Sequence, residues 1–573
     1  MTAGSFKTEL LEPVLARPGD VVGLRVLADR LLEQGEPLGD FLRLSLDREA
    51  LTPFEPRWDE LGWALLALER RHFPAWTRDL WGDLTPRLER RVSAFRGLPS
   101  TLECTGPGWH ALEPARLAQV PIAAVHFDDR APGAVKRLMG TGLLSRLSKL
   151  VIGGQAVMAD VGKLLASPAL SGLEHLELPW ADGVCLSWLA NLAALPRLRT
   201  LSLSAGGMTL PVVDVAPLVS LKLPALRELT LSSLPLGEAG AAHLAASTFA
   251  LEQLTLSRCD LGTTGGVTLL SSSMVSRLKG LLLPHTELSP KGLVALSELK
   301  APDLLQLDVS GQGTLGKRFP SFVESFALPK LRRLVLSNNA LREAGAGALA
   351  SSKAFANVAS LELNGCSLKD EGFAALAKAK HLGALRQLDL AGNSATHVGI
   401  KAFVKAPFLK SLQSLNLSHN KFQTEGGKAL ATAKTLTSLR VLKLGHNWMG
   451  SLGMRALMAN PSLKALEEVV DGMNNYGPEL WRCFLKTGKP GLKVLPPCFD
   501  LTEADLVALA TSAHTVALDA VSLPFALSPE AVTALTNSPL ARQGTAWVSA
   551  SPRLDPKLMA QLSAGFGSRL VTW

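Results

Sequence analysis

The chain has 573 residues, 47% of them hydrophobic and 19% charged, a length that excludes one compact core in favour of several domains or an extended repeat array. No apolar run reaches the roughly 18 residues of a membrane span, and six widely separated cysteines without a CxxC pair suit reduced thiols in a cytoplasm, not a disulfide framework. The formal net charge of +9 is uneven: residues 351–450 hold 13 Lys/Arg against 5 Asp/Glu, a patch able to attract nucleic acid, anionic lipid or an acidic protein.

The first residues, "MTAGSFKTELLEPVLARPGD", carry charges throughout and lack a long apolar core, so no signal peptide is expected. "LRVLADRLLEQGEPLGDFLRLSL", Leu24 to Leu46, spaces its apolar residues as two amphipathic helices do, with a Gly-Glu-Pro break between them. Residues 1–97 therefore read as a separate helical segment.

Beyond it the chain repeats itself. Aligned on L-x-x-L-x-L, starts fall at residues 147, 173, 198, 226, 251, 278, 304, 331, 358, 385, 412, 439 and 466. The last seven intervals are near 27 residues and the earlier ones vary between 25 and 28. A fixed period of this size with this motif is the signature of a leucine-rich repeat solenoid. In "LQSLNLSHN", Leu415 and Leu417 alternate with polar neighbours, the pattern of a strand with one buried face. Stacked parallel copies of so short a strand bury a continuous leucine ladder that one copy cannot.

Eight positions after the start stands Asn339, Asn393, Asn420, Asn447 or Asn474, replaced by Cys259 and Cys366 in two repeats. The chain leaves the sheet there, and an Asn side chain supplies both a donor and an acceptor to backbone groups inside the stack. Fourteen positions after the start comes a glycine, from Gly240 to Gly453, expected to precede or open a helix. Four residues later Leu349, Leu376, Phe403 or Leu430 is expected to point inward.

Strand, Asn or Cys turn, then Gly and a helix: this order resembles the ribonuclease-inhibitor-like class of leucine-rich repeats, over roughly residues 120–475. The resemblance implies an α/β fold, a curved solenoid with a parallel sheet on its concave side and helices on its convex side. Residues 24–44 are similar to the small repeat-companion domain at the front of many bacterial leucine-rich repeat proteins, notably of myxobacteria and planctomycetes. Arg25, Leu27, Ala28, Asp29, Leu32, Glu33, Gly35, Pro37, Gly39, Phe41, Arg43 and Leu44 carry the likeness, and Leu31 stands where that family commonly has an aromatic residue. "AFRGLPSTLEC", Ala94 to Cys104, looks like its lead-in to the first strand. Three domains are expected: a helical cap over 1–97 that uses Trp58, Trp63, Trp76 and Trp81 to cover the open ladder, the solenoid over 98–475, and degenerate repeats over 476–573. In the last, "HTVALDAVSL" and "RLVTW" read as strands and "SPEAVTALTNSP" as a helix.

Two motifs invite chemistry. "GQGTLGKR", Gly311 to Arg318, reads as a phosphate-binding loop with Arg318 in place of the magnesium-binding hydroxyl. Yet Leu304, Leu307 and Val309 are in register and the next repeat starts on time at Leu331, so this is an ordinary turn. "CFD", Cys498 to Asp500, matches the Cys-x-Asp of repeat-bearing ubiquitin ligases, whose large helical domain does not fit in the remaining residues. No His/Cys cluster has metal spacing, and no catalytic residue, metal or cofactor is assigned.

Function then rests on the concave face. Its central column is Val151, Glu177, Ser202, Thr230, Thr255, Leu282, Asp308, Val335, Glu362, Asp389, Asn416, Lys443 and Val470, flanked by Trp180, Arg258, His285, Arg333, His419 and His446. The face is polar with an acidic middle, and the lysines fall in the helical halves, an arrangement that disfavours nucleic acid in the groove. The expected function is a non-catalytic, cytoplasmic scaffold binding another protein through Asp308, Arg333, Glu362, Asp389, Asn416, His419, Lys443 and His446. One alternative is a GTPase-activating or regulatory role, because the Ran GTPase-activating protein is built on the same repeat class. A second is contact of an anionic surface or nucleic acid with the Lys-rich convex side.

Overall fold

Alternation decides the strands. Leu361 and Leu363 flank Glu362, Leu388 and Leu390 flank Asp389, and Leu415 and Leu417 flank Asn416; in the computed structural model the leucines are buried and the residue between them is accessible. The structure describes residues 11–12, 14–81, 92–105, 113–129, 134–154, 158–178, 195–205, 212–313, 315–470, 478–488, 491–495, 498, 501–524, 526–543, 546–551 and 553–572. The chain forms two units, residues 1–312 with 327–330, and residues 313–326 with 331–573.

The first unit opens with three helices, α1 (Val21–Glu33), α2 (Pro37–Glu49) and α3 (Pro56–Trp81). Asp20 caps α1 by accepting from the Gly23 amide at 2.9 Å, and Pro37 sits in the first turn of α2, where its missing N–H costs nothing. Leu24, Leu27, Phe41, Leu42 and Trp76 form one core that also takes in Leu98. Of the four tryptophans expected there, Trp76 and Trp81 are buried, and the Trp81 Nε1 donates to the Pro99 carbonyl at 2.8 Å. Trp58 is only half-buried and lies 3.6 Å under the Arg48 guanidinium.

The segment read as a lead-in is a hairpin: β1 (Val92–Phe95) pairs antiparallel with β2 (Leu98–Thr105). Arg96 (φ 52°) and Gly97 (φ 83°) make its two-residue turn, both left-handed as the twist of flanking strands prefers. From β2 onward the strands run parallel through β3 (Ala124–Asp129), β4 (Lys149–Gly154), β5 (His175–Leu178), β6 (Thr200–Ser204), β7 (Glu228–Ser232), β8 (Gln253–Ser257), β9 (Gly280–Leu282) and β10 (Gln306–Asp308).

The second unit carries β11 (Arg333–Val335), β12 (Ser360–Glu362), β13 (Gln387–Asp389), β14 (Ser414–Asn416), β15 (Val441–Lys443) and β16 (Glu468–Val470), all parallel. The register never slips: Arg333, Ser360, Gln387, Ser414, Val441 and Glu468 stand side by side. Four more parallel strands follow, β17 (Val494–Leu495), β18 (Ala520–Ser522), β19 (Trp547–Ala550) and β20 (Leu570–Thr572). β18, β20 and the helix Pro529–Thr536 lie where sequence placed them, while β17 and β19 add two strands it did not. The Lys493 amide donates to the Glu467 carbonyl at 2.8 Å, so this sheet takes up where β16 ends.

At the turn, the Asn 393 side chain donates to the Leu363 and Leu390 carbonyls (2.8 and 3.0 Å), and the Asn420 Oδ1 accepts from the Asn393 and Ala395 amides (3.2 and 3.1 Å). Cys366 and Cys259 fill the same place, their thiols donating to the Leu336 and Leu231 carbonyls at 3.1 and 3.3 Å. Thr286 and Gln312 do so as well, a substitution the Asn/Cys pattern hid: the Thr286 hydroxyl donates to the Leu256 carbonyl, and Gln312 both donates to the Leu283 carbonyl and accepts from the Leu288 amide. Asn474 lies outside the described residues.

The glycine fourteen places on does not open the helix. Gly240, Gly426 and Gly453 each sit at the fourth residue, in Gly237–Ala245, Gln423–Ala431 and Gly450–Met458. A Cβ at Gly345 would come within 2.7 Å of the Leu341 Cβ and one at Gly372 as close to Leu368, so the position needs a residue without a side chain. Leu349, Leu376, Phe403 and Leu430 point inward as expected. Strand, turn and helix repeat as an α/β solenoid of leucine-rich repeats.

Candidate protein-interaction face

Strand geometry selects the candidate site: on β12–β14 the residue between two buried leucines is accessible on the face away from them. Glu362, Asp389, Asn416 and Lys443 thus form a column across adjacent strands, paired Glu362 to Asp389, Asp389 to Asn416 and Asn416 to Lys443. Val335, assigned to this column, is buried, as is Val151 on β4, and neither offers a contact.

The acidic middle is not a free acidic patch. Arg333 donates Nε and Nη2 to Glu362 Oε1 at 3.0 and 2.7 Å, across one strand interval and with both side chains about two-thirds covered (27% and 32% exposed). Asp389 uses one oxygen to accept from the Ala391 amide and the other to accept from Asn416 Nδ2, each at 2.8 Å. The Asn416 Oδ1 in turn accepts from the Ser418 amide at 3.1 Å. Each of these side chains is fixed by a neighbour before any partner arrives. Lys443 differs: it is exposed, and among the described residues no acid or acceptor holds its ammonium. Asp308 belongs to the first unit, where it is half-buried on β10 and accepts from the Ser310 amide at 2.8 Å.

His419 and His446 come together in a way the period alone does not show. Their rings stack at 4.2 Å between centroids and 16° between planes. Both backbones are left-handed (φ 57° and 59°), and the His419 amide donates to the Gly445 carbonyl of the following repeat at 2.7 Å. The same position is left-handed at Asn338, Gly365 and Gly392, where the Asn338, Gly365 and Gly392 amides also bond to the next repeat's carbonyls. This conformation keeps one more ladder bond per repeat and makes side chains at that position lie over one another. In the first unit Arg258 and His285 occupy it and are exposed; Trp180 lies outside the described residues.

Sequence reasoning missed Trp448, 53% exposed and left-handed (φ 54°), beside this cluster in the chain. Its signal was there: equivalent positions hold Ala340, Ser367, Ser394 and Lys421, none aromatic. Val470, next to Lys443 across the strands, is also 40% exposed. The lysines of the basic segment lie elsewhere, as expected. Lys378, Lys380, Lys401, Lys405, Lys410, Lys428 and Lys434 are all exposed in the helical halves, and Lys428 pairs with Glu425 at 2.6 Å.

The "GQGTLGKR" glycines have structural work. Gly311 is left-handed (φ 65°) with the His285 ring where a Cβ would stand, and Gly316 lies against the Asn339 and Ala340 carbonyls. Burial pushes the Cys259 thiol up to about 12 and the Cys366 thiol to about 11, so both stay protonated donors and not nucleophiles. Cys483 is pushed up to about 11 by burial and by Glu479. Among the described residues no group of three or more His, Cys, Asp or Glu is placed to hold a metal ion, and no described helix is long and apolar enough to cross a membrane.

The Leucine Rich repeat family matches residues 408–431 and 435–458, the repeats carrying Asn416, His419, Lys443 and His446. No curated protein sequence matches the chain. Among solved structures the chain is similar to one described as "Crystal structure of TLR13-ssRNA13 complex", at 20% identity and a TM-score of 0.41 over 76% of this chain. The chain spans 62% of the length of that solved protein.

Proposed function

We propose that this protein is a non-catalytic scaffold that binds another protein on the strand face of its second unit. The observation that carries this reading is preorganisation: Arg333, Glu362, Asp389 and Asn416 are already fixed by one another, so a partner meets a rigid polar surface at little ordering cost. Lys443 and the His419–His446 stack supply the groups still free to be recognised, with Trp448 and Val470 as apolar surface beside them in strand or chain. Such a face favours an acidic partner segment carrying an apolar anchor, the pairing of charge and aromatic burial that concentrates binding energy in few residues.

The test compares wild type with Lys443→Glu/Asn416→Arg on the strand face and Lys401→Glu/Lys405→Glu on the helical side. Each is used for capture from native lysate and then for titration against the purified captured protein. The reading expects at least a tenfold loss of affinity in the strand-face variant alone. Loss confined to the helical-side variant places recognition on the Lys-rich surface and overturns it.

A further inference from the structure

Away from the strand face, the first unit holds a cavity of about 380 Å³ between the residues that lead into α1 and the loops ahead of β4, β5 and β6. Arg17, Arg146 and Arg197 line it together with two acids, Asp20 and Glu174. Glu174 is committed elsewhere and Asp20 in part. Asp20 caps α1 through the Gly23 amide at 2.9 Å, and both oxygens of Glu174 accept from Arg96, at 3.2 and 2.8 Å.

The arginines have no such counter-charge. Arg146 donates only to neutral carbonyls, Val120 at 2.6 Å, Leu117 at 3.3 Å and Ala118 at 3.4 Å, and its Nε is buried with no hydrogen-bond partner. Burial lowers its pKa with no opposing carboxylate to offset it. Arg17 and Arg197 are exposed, and among the described residues neither guanidinium is engaged in a hydrogen bond or ion pair. Three arginines thus line one cavity with two acids, one of them already paired with Arg96, and a bound anion supplies the counter-charge that Arg146 lacks.

We propose that this cavity binds a small phosphorylated molecule, its phosphate held by Arg17, Arg146 and Arg197. A dianionic phosphate offers several acceptor oxygens to guanidinium forks that present donors in parallel pairs. The cavity also exceeds what one inorganic anion fills and lies in the range of about 300–1,000 Å³ common for organic ligands. The remaining space takes the organic part.

The probe is glycerol 3-phosphate, titrated calorimetrically into the full chain beside inorganic phosphate, and beside citrate and chloride at matched ionic strength. Saturable binding of glycerol 3-phosphate, weakened at least tenfold by Arg17→Gln/Arg197→Gln with the melting temperature unchanged, is the expected result. Those two side chains are exposed and hold no structural bond, so the variant stays folded where Arg146→Gln would loosen the Leu117–Val120 turn. Absence of saturable binding, or equal binding by the double variant, overturns the site. Citrate binding as tightly as glycerol 3-phosphate overturns the assignment to phosphate.

Discussion

Between Arg333 and Val470, partners on successive strands stay in one register, and the buried turn residues Cys366, Asn393, Asn420 and Asn447 each bond across to the preceding repeat. Between Val92 and Leu178 there is no such regularity. Paired residues are unevenly spaced along the chain, as in Thr101 with Ala124, Ala124 with Lys149 and Lys149 with His175, and the first pair is antiparallel. One residue used once also ties that region to the helices. Arg96, 4% exposed, leaves the hairpin turn to reach Glu49 on α2, Glu174 before β5 and the Gly19 carbonyl. Repetition spreads stability over many equivalent small bonds; an end, lacking a neighbour on one side, concentrates it in a single charged clamp.

The largest expected effect breaks that clamp. Arg96→Met leaves Glu174 largely covered and unpaired, and urea denaturation should show the first unit destabilised by about 3–5 kcal/mol. Asn420→Ala removes donors to Leu390 and Leu417 and the acceptor for two amides, and the same measurement should report about 2–3 kcal/mol, seen in the second unit.

A third test uses pH and again separates the regions. His175 accepts or donates to Thr200 Oγ1 at 3.0 Å, and burial, then the Arg96 cation and Lys149, outweigh Glu174 and Glu49 to hold its ring down at about 4, against an ordinary 6.5. Below pH 6.5 the unfolded chain takes up a proton that the folded chain refuses. First-unit stability should therefore fall by about 1–3 kcal/mol as pH drops through this window, with no change above it. His175→Gln should flatten the dependence; an unchanged slope in that variant would assign it to another group. The smallest effect has the opposite sign. Cys366→Asn should stabilise the second unit by about 1 kcal/mol, because Asn there can accept from the Asn339 and Leu341 amides as Asn420 does from Asn393 and Ala395.

What the sequence makes legible follows the same division. The period, the leucine ladder and the Asn turn are each repeated many times, so the register of β11–β16 can be read without coordinates. Gln312 and Thr286 escape that reading because several side chains can satisfy one carbonyl. The pairing of Arg333 with Glu362 escapes for a different reason: it joins different positions in neighbouring repeats, which a column-by-column reading separates. The Arg96 clamp is unreadable by pattern, since it occurs once and joins residues 47 and 78 apart in the chain.

The constant register has a genetic meaning. A segment running from Leu385 to Ser411 begins and ends at equivalent points, so its excision would bring Ser360 beside Ser414 with every seam still matching. Unequal exchange between neighbouring copies can therefore shorten or lengthen this part of the protein in whole steps, changing which side chains the face displays without creating a new fold. The Val92–Leu178 region, built from unlike pieces, offers no such interchangeable joints.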